Sequence, residues 1–262
     1  MKHKLFLFIF LLMIAKSFYG QELTLYEKHL YVNGSDTMPY RLLLPDNYNS
    51  SKKYSLILFL HGAGERGNDN EKQLVHGAKL FLREEVRKSY PAIVVFPQCG
   101  EDSYWSNVKI NRNVSASHKF IFQERGEPTI AMVLVQQLLE KIIADYSVQK
   151  DQIYVGGLSM GGMGTFEIVR RNPRLFAAAF PICGGAHPAT ARKLKNTGWW
   201  VFHGAKDDVV PPVYSQVMVD ALKKKKASVR YTFYPDANHN SWDPAFAEKD
   251  LLPWLFAQKR KY

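Results

Sequence analysis

Apolar positions fall in short blocks separated by polar turns. Residues 22–32 and 40–44 alternate or run apolar with β-rich residues, and Asn33-Gly34-Ser35-Asp36 breaks them, which predicts a β-hairpin. Six further blocks predict short buried strands: Ser55–Leu60, Ala92–Phe96, Gln152–Val155, Ala177–Ile182, Trp199–Phe202 and Val229–Tyr234. Between them lie helical stretches. Thr129–Tyr146 carries apolar residues at 130, 133, 134, 138, 142 and 143, close to a 3.6-residue period. Met160–Arg171, Tyr214–Lys224 and Leu251–Gln258 are the other predicted helices. Strands alternating with helices predict an α/β fold with a mostly parallel central sheet and helices on both faces. The opening hairpin is expected to form an antiparallel edge.

No Pro/Gly/Ser-rich linker divides residues 21–262, which are read as a single domain. Residues 100–128 form the least regular stretch, polar but carrying Tyr104, Trp105, His118 and Phe120. A loop this long in a compact domain is usually functional or mobile. The N-terminus reads as a targeting segment: basic Met1-Lys2-His3-Lys4, then 11 unbroken apolar residues from Leu5 to Ala15. That run is too short to span a bilayer and has the length of a signal-peptide core. Cleavage is expected after Ser17 or Gly20, so residues 1–20 are excluded from the fold and the product is expected to be secreted or periplasmic.

Length and composition narrow the class. With 262 residues, 46% apolar and 23% charged, the chain can bury a full core and is not a disordered tail. It has no heptad run and no repeat, and no stretch of 18 apolar residues, so no stable membrane insertion is expected. Without the three lysines of residues 1–20 the net charge falls from +11 to +8. Much of the excess lies in Lys223-Lys224-Lys225-Lys226 and Lys259-Arg260-Lys261, which read as solvated faces or as a weak attraction to acidic polysaccharide. Nucleic acid is disfavoured as a partner by the export signal and the lack of any binding motif.

The strongest chemical signal is Gly157-Leu158-Ser159-Met160-Gly161, a G-x-S-x-G sequence between a β-rich run and a helix-like run. A serine displayed at a sharp strand-to-helix turn needs small neighbours two residues to either side. Ser159 is therefore the candidate nucleophile, and a serine hydroxyl needs a base. Downstream lie His187, His203 and His239. His239 follows the last strand, at the end where open α/β sheets bind ligands, and is the favoured base. His203 is expected to pack under the next loop. Asp207, after the strand ending at Phe202, is the favoured orienting carboxylate, with Asp208 as its rival and Asp236 as a turn residue. An oxyanion hole is expected from the Met160 N–H and, in the Leu60-His61-Gly62-Ala63-Gly64 loop, the Ala63 N–H, with Gly62 or Gly64 as alternatives and His61 as a brace. The Gly156–Gly164 stretch lacks the lysine of a phosphate-binding loop.

These segments resemble the α/β-hydrolase superfamily. More narrowly, they are similar to bacterial secreted serine esterases grouped with polyhydroxybutyrate depolymerase, feruloyl and acetylxylan esterases and "predicted peptidase" proteins. The likeness covers roughly residues 38–258. It runs through Leu60-His61-Gly62-Ala63-Gly64-Glu65-Arg66-Gly67, Phe96-Pro97-Gln98-Cys99 and Gly157-Leu158-Ser159-Met160-Gly161-Gly162. It continues through Pro181-Ile182-Cys183-Gly184-Gly185, His203-Gly204-Ala205-Lys206-Asp207 and His239-Asn240-Ser241-Trp242-Asp243. The resemblance implies Ser159 as nucleophile, Asp207 as acid and His239 as base, with no metal or organic cofactor. The family's strand order would set Cys99 and Cys183 three strands apart, roughly 14 Å, beyond the about 7 Å a disulfide allows.

Three further residues are candidates for substrate contact. Trp105 (with Tyr104) and Trp242 are expected either to stack on a sugar or phenolic acyl group or to pack their loops. Arg66 is expected either to bind an anionic substrate group or to brace the oxyanion loop. The function so implied is hydrolysis of a small-molecule or oligosaccharide ester. A peptidase of the same fold is the alternative, weakened by the absence of a gating domain. A non-catalytic carbohydrate-binding protein is weakened by the presence of all three triad residues.

Overall fold

The structure, a computed structural model, describes residues 23–111, 113 and 119–260. The expected export segment and His118 lie outside these residues. Among the described residues there are ten strands: β1 (Glu27–Asn33), β2 (Asp36–Leu43), β3 (Tyr54–Leu60), β4 (Ala92–Pro97), β5 (Val108–Ile110), β6 (Phe120–Phe122), β7 (Val148–Leu158), β8 (Ala178–Ile182), β9 (Gly198–Gly204) and β10 (Val229–Tyr234). Eight of them form one sheet in the order β1-β2-β4-β3-β7-β8-β9-β10. From β4 to β10 every pairing is parallel, while β2 runs antiparallel to both β1 and β4. The expected antiparallel edge hairpin is therefore present.

Central strands are buried on both sides and so read as continuous apolar runs. All seven residues of β3 are buried. Leu56, Leu58 and Leu60 join one core cluster, and Ile57 and Phe59 the other, the period-two alternation of a strand. The helices are α1 (Ala78–Leu82), α2 (Glu84–Ser89), α3 (Ile130–Asp145), α4 (Met160–Arg171), α5 (Ala191–Leu194), α6 (Val213–Lys224), α7 (Trp242–Ala247) and α8 (Leu251–Phe256). Helices α3, α4, α5 and α6 pack on the Leu56 face, and α1, α2, α7 and α8 on the Ile57 face. Thr129 caps α3, its hydroxyl accepting the Met132 N–H at 3.1 Å.

Several features depart from the sequence reading: helices α5 and α7 are absent from it, and β7 runs Val148–Leu158 where Gln152–Val155 is expected. Residues 78–89 form two short helices that no clear period announces. The irregular stretch 100–128 contains a small antiparallel hairpin, β5 on β6. Its Phe120 packs with Met163 of α4 and Val210, close to the loop that carries Asp207. Cys99 and Cys183 follow β4 and β8, three strand positions apart, and both are free and buried.

Candidate active site

Strand β7 ends at Leu158 and α4 begins at Met160, leaving Ser159 to make the turn alone. Its φ of 54° and ψ of −115° are strained for a residue with a side chain. The turn is held by Ser159 N–H donating to the Ile182 carbonyl at 2.9 Å and by Met163 N–H donating to the Ser159 carbonyl at 3.0 Å. Gly161 is required by close approach: a Cβ there would lie 1.8 Å from the Leu60 carbonyl oxygen and 2.7 Å from that of His61. The first turn of α4 is thus pressed onto the start of the Leu60–Gly64 loop. Within that loop Ala63 opens a short 3-10 turn (Ala63–Glu65). As the first amide of α4, Met160 N–H is among the donors a helix start leaves without an intrahelical acceptor.

Three chain segments converge in front of Ser159. His239 Nε2 lies 3.0 Å from Ser159 Oγ, and His239 Nδ1 lies 2.8 Å from Asp207 Oδ2. A carboxylate only accepts, so Nδ1 carries the proton and Nε2 offers its lone pair to the Ser159 hydroxyl. Asp207 is buried, and its Oδ1 accepts the Val209 and Val210 amides at 3.0 and 2.9 Å. Burial alone would raise its pKa. Hydrogen bonds from His203, His239 and the Val210 amide outweigh burial and hold the carboxyl well below the usual carboxylate range. A hydroxyl, an oriented imidazole and an ionised carboxylate in this sequence can move a proton off the hydroxyl and return it to a leaving group.

The rival residues stand elsewhere. Asp208 is exposed. Asp236 pairs with Lys206 at 2.9 Å across two turns. His187 caps its own loop, accepting the Ala189 amide at 3.3 Å. His61 braces the Leu60–Gly64 loop: Nδ1–H donates to the Gly62 carbonyl at 2.6 Å, and Nε2 accepts the Cys99 amide at 2.9 Å. Burial, its largest influence, lowers the His61 pKa to about 4. The Gly62 bond opposes that shift and the Arg66 charge adds to it. His61 is therefore neutral at physiological pH.

Trp105 needs correction as a substrate contact. It is fully buried, its indole N–H donates to the His61 carbonyl at 3.1 Å, and its Cβ fills the space that a side chain on Gly164 would take. Its ring has no face open to a ligand. Arg66 takes the bracing role: Nε donates to the Ala63 carbonyl at 3.1 Å, and Nη1 to the Glu101 and Ser103 carbonyls at 2.7 and 3.4 Å. Tyr104 is half-buried, its hydroxyl 3.9 Å from Met163 Sδ. Trp242 is different. It is half-buried and meets His239 edge-on with ring centroids 5.4 Å apart, while His76 packs against it at 5.0 Å.

Two further side chains stand beside Ser159, His239 and Asp207: His203, which the sequence reading packs under the next loop, and Cys183. His203 Nε2 lies 3.2 Å from Asp207 Oδ2. Cys183 Sγ, an Asp207 oxygen and a His239 nitrogen lie within 4.8 Å of one another. Burial pushes the Cys183 thiol well up, and the Asp207 charge pushes it further, so a metal-binding thiolate is disfavoured there.

Residues 35–228 match the Esterase family. The chain belongs to the Esterase family. A crystal structure of a thermostable esterase superposes with a TM-score of 0.81 at 33% identity, covering 92% of this chain and 64% of that one. Feruloyl esterase C of Emericella nidulans is 24% identical over 194 residues, 73% of this chain and 62% of its own length. An Aspergillus oryzae homologue is 24% identical over 172 residues, 66% of this chain and 56% of its own. This esterase-family chain thus spans little more than half the length of these two relatives. The feruloyl esterase module from Clostridium thermocellum, solved with sinapinate, shares the α/β-hydrolase fold with a TM-score of 0.62 at 18% identity. It covers 90% of this chain and 89% of the module.

Proposed function

We propose that this protein is an exported serine hydrolase that cleaves carboxylic esters through an acyl-enzyme. The observation that carries the reading is the unbroken hydrogen-bonded series Ser159–His239–Asp207, with contacts of 3.0 and 2.8 Å. Ser159 Oγ attacks the ester carbonyl carbon while His239 Nε2 takes the hydroxyl proton. The resulting oxyanion is held by the Met160 and Ala63 amides. Collapse expels the alcohol, which receives its proton from His239. Water, deprotonated by the same nitrogen, then attacks the acyl carbon, and the carboxylic acid leaves as Ser159 regains its proton. Asp207 fixes the tautomer and stabilises the imidazolium formed in both halves.

The substrate class follows the relatives. Feruloyl esterase C and the sinapinate-bound feruloyl esterase module support aromatic acyl groups, and a carbohydrate alcohol completes the proposed ester. Trp242, beside the base, is the aromatic side chain placed to meet a substrate, whereas Trp105 and Arg66 support the loop beneath. Residues 21–262 are read as one catalytic unit and residues 1–20 as its export signal. The test is hydrolysis of p-nitrophenyl acetate, methyl ferulate and a peptide anilide by the purified protein and its Ser159→Ala variant. Turnover of the esters, abolished in the variant and absent with the anilide, is expected. Anilide turnover matching the esters would make it a peptidase.

A further inference from the structure

The Asp207 carboxylate is shared by two histidines. His239 is one; the other is His203, the sixth residue of β9, with no exposed surface. Strand alternation puts His203 on the face of Trp199 and Val201, turned toward α6. Its Nε2 lies 2.8 Å from the Val210 carbonyl and 3.2 Å from Asp207 Oδ2. Both neighbours are acceptors, so Nε2 carries a proton. On the far side Nδ1 lies 2.7 Å from Ser215 Oγ of α6, and that hydroxyl also reaches the Gly184 carbonyl at 2.7 Å. Gly184 in turn rests against Gly162 in the first turn of α4: a Cβ on Gly184 would lie 2.5 Å from the Gly162 carbonyl carbon.

We propose that His203 is a positioning residue for the ester hydrolysis. It acts through Asp207 and touches no substrate. Asp207 Oδ1 is tied by the Val209 and Val210 amides. Rotation about that tie would swing Oδ2 away from His239. His203 Nε2–H, whose nearer acceptor is the Val210 carbonyl, stands 3.2 Å from Oδ2 on the remaining side, which leaves Oδ2 its lone pair toward His239 Nδ1. Ser215 of α6 lies between the imidazole and the Gly184 carbonyl, its single hydroxyl proton serving one of these two acceptors at a time. A histidine retained only as core filling would need neither polar contact. An isosteric apolar ring would serve it as well, and burial of an imidazole without partners is costly.

This inference rests on the triad reading above, and the experiment separates the two. Wild type, Ser159→Ala, His203→Phe, His203→Gln and His203→Asn are compared for methyl ferulate kcat and KM, thermal midpoint, and the far-downfield proton resonance of His239 Nδ1–H. If wild type is inactive, or Ser159→Ala keeps its activity, the serine reading fails and this one with it. Otherwise folded His203→Phe should lose about 10- to 100-fold in kcat at unchanged KM, with the downfield resonance shifted or lost. Glutamine can reach Asp207 with its amide, whereas asparagine is one carbon short, so His203→Gln should exceed His203→Asn in kcat at similar stability. A folded His203→Phe with wild-type kcat and resonance would overturn the proposal. If His203→Phe does not fold, equal kcat for the Gln and Asn variants would overturn it.

Discussion

Gly161 touches Leu60 backbone to backbone, so closely that a Cβ would stand 1.8 Å from the Leu60 carbonyl oxygen. The contact joins the start of α4, just after Ser159, to the Leu60–Gly64 loop, the loop of the proposed second oxyanion donor. Gly161→Ala must therefore part them. It should cost about 3 kcal/mol or more in urea unfolding, at the upper end of overpacking penalties, and slow the esterase reaction in whatever fraction folds. Wild-type stability and rate in this variant would show that the two segments are not pressed together.

Asp207→Asn removes the acceptor that fixes the His239 tautomer, and kcat should fall by about ten-thousand-fold. The same carboxylate supplies a pH signature. Its folded pKa lies below its unfolded one, so the unfolded chain takes up the proton first as pH falls. Its stabilising contribution is whole above about pH 4 and is withdrawn below that. The stability gap between wild type and Asp207→Asn should narrow on acidification from pH 6 to pH 3. Parallel curves would contradict this linkage.

His61 works on a different window. Its folded pKa is about 4, against about 6.5 in an unfolded chain. Between those values the unfolded chain binds a proton that the folded chain refuses, so stability drops as pH falls from about 6.5 toward 4. His61→Gln should flatten that part of the stability profile relative to wild type. Urea midpoints at half-unit pH steps are the measurement; an unchanged slope in the variant would show that His61 does not titrate with folding.

Trp105 is a brace, and its variants should behave as such. Trp105→Phe deletes the hydrogen bond to the His61 carbonyl and part of the packing on Gly164, lowering the thermal midpoint. KM for methyl ferulate should stay within about twofold, because a residue that makes no ligand contact removes no uniform binding energy. A large rise in KM with an unchanged midpoint would restore Trp105 as a substrate contact.

The fold was legible where one period dominates. The buried runs of β3 and β4 and the amphipathic span of α3 announce themselves, and α4 begins and ends where the sequence reading sets it. Helices α1 and α2 were not legible, being five and six residues long and set by packing under β3 and β4 rather than by a repeat. At the candidate site, the meeting of Ser159, Asp207 and His239 could be expected because each follows a strand at its carboxyl end in a fixed chain order. The roles of Trp105 and Arg66 could not be assigned. Composition shows an aromatic and a cation in a loop, but only the fold shows that Gly164 leaves a slot for the indole and that three carbonyls converge on the guanidinium. The His203 contact was hidden for a similar reason. The sequence reading packs His203 under the next loop, but composition does not show that its Nε2 comes within 3.2 Å of the Asp207 carboxylate.

The central claim is that Ser159 is an activated nucleophile. Labelling the folded protein with a fluorophosphonate and locating the adduct by peptide mass spectrometry tests it most directly. The account predicts one phosphonyl adduct, on the peptide containing Ser159, absent from Ser159→Ala and greatly slowed in His239→Ala. A folded wild type that takes up no label, or one whose label persists in Ser159→Ala, would contradict it.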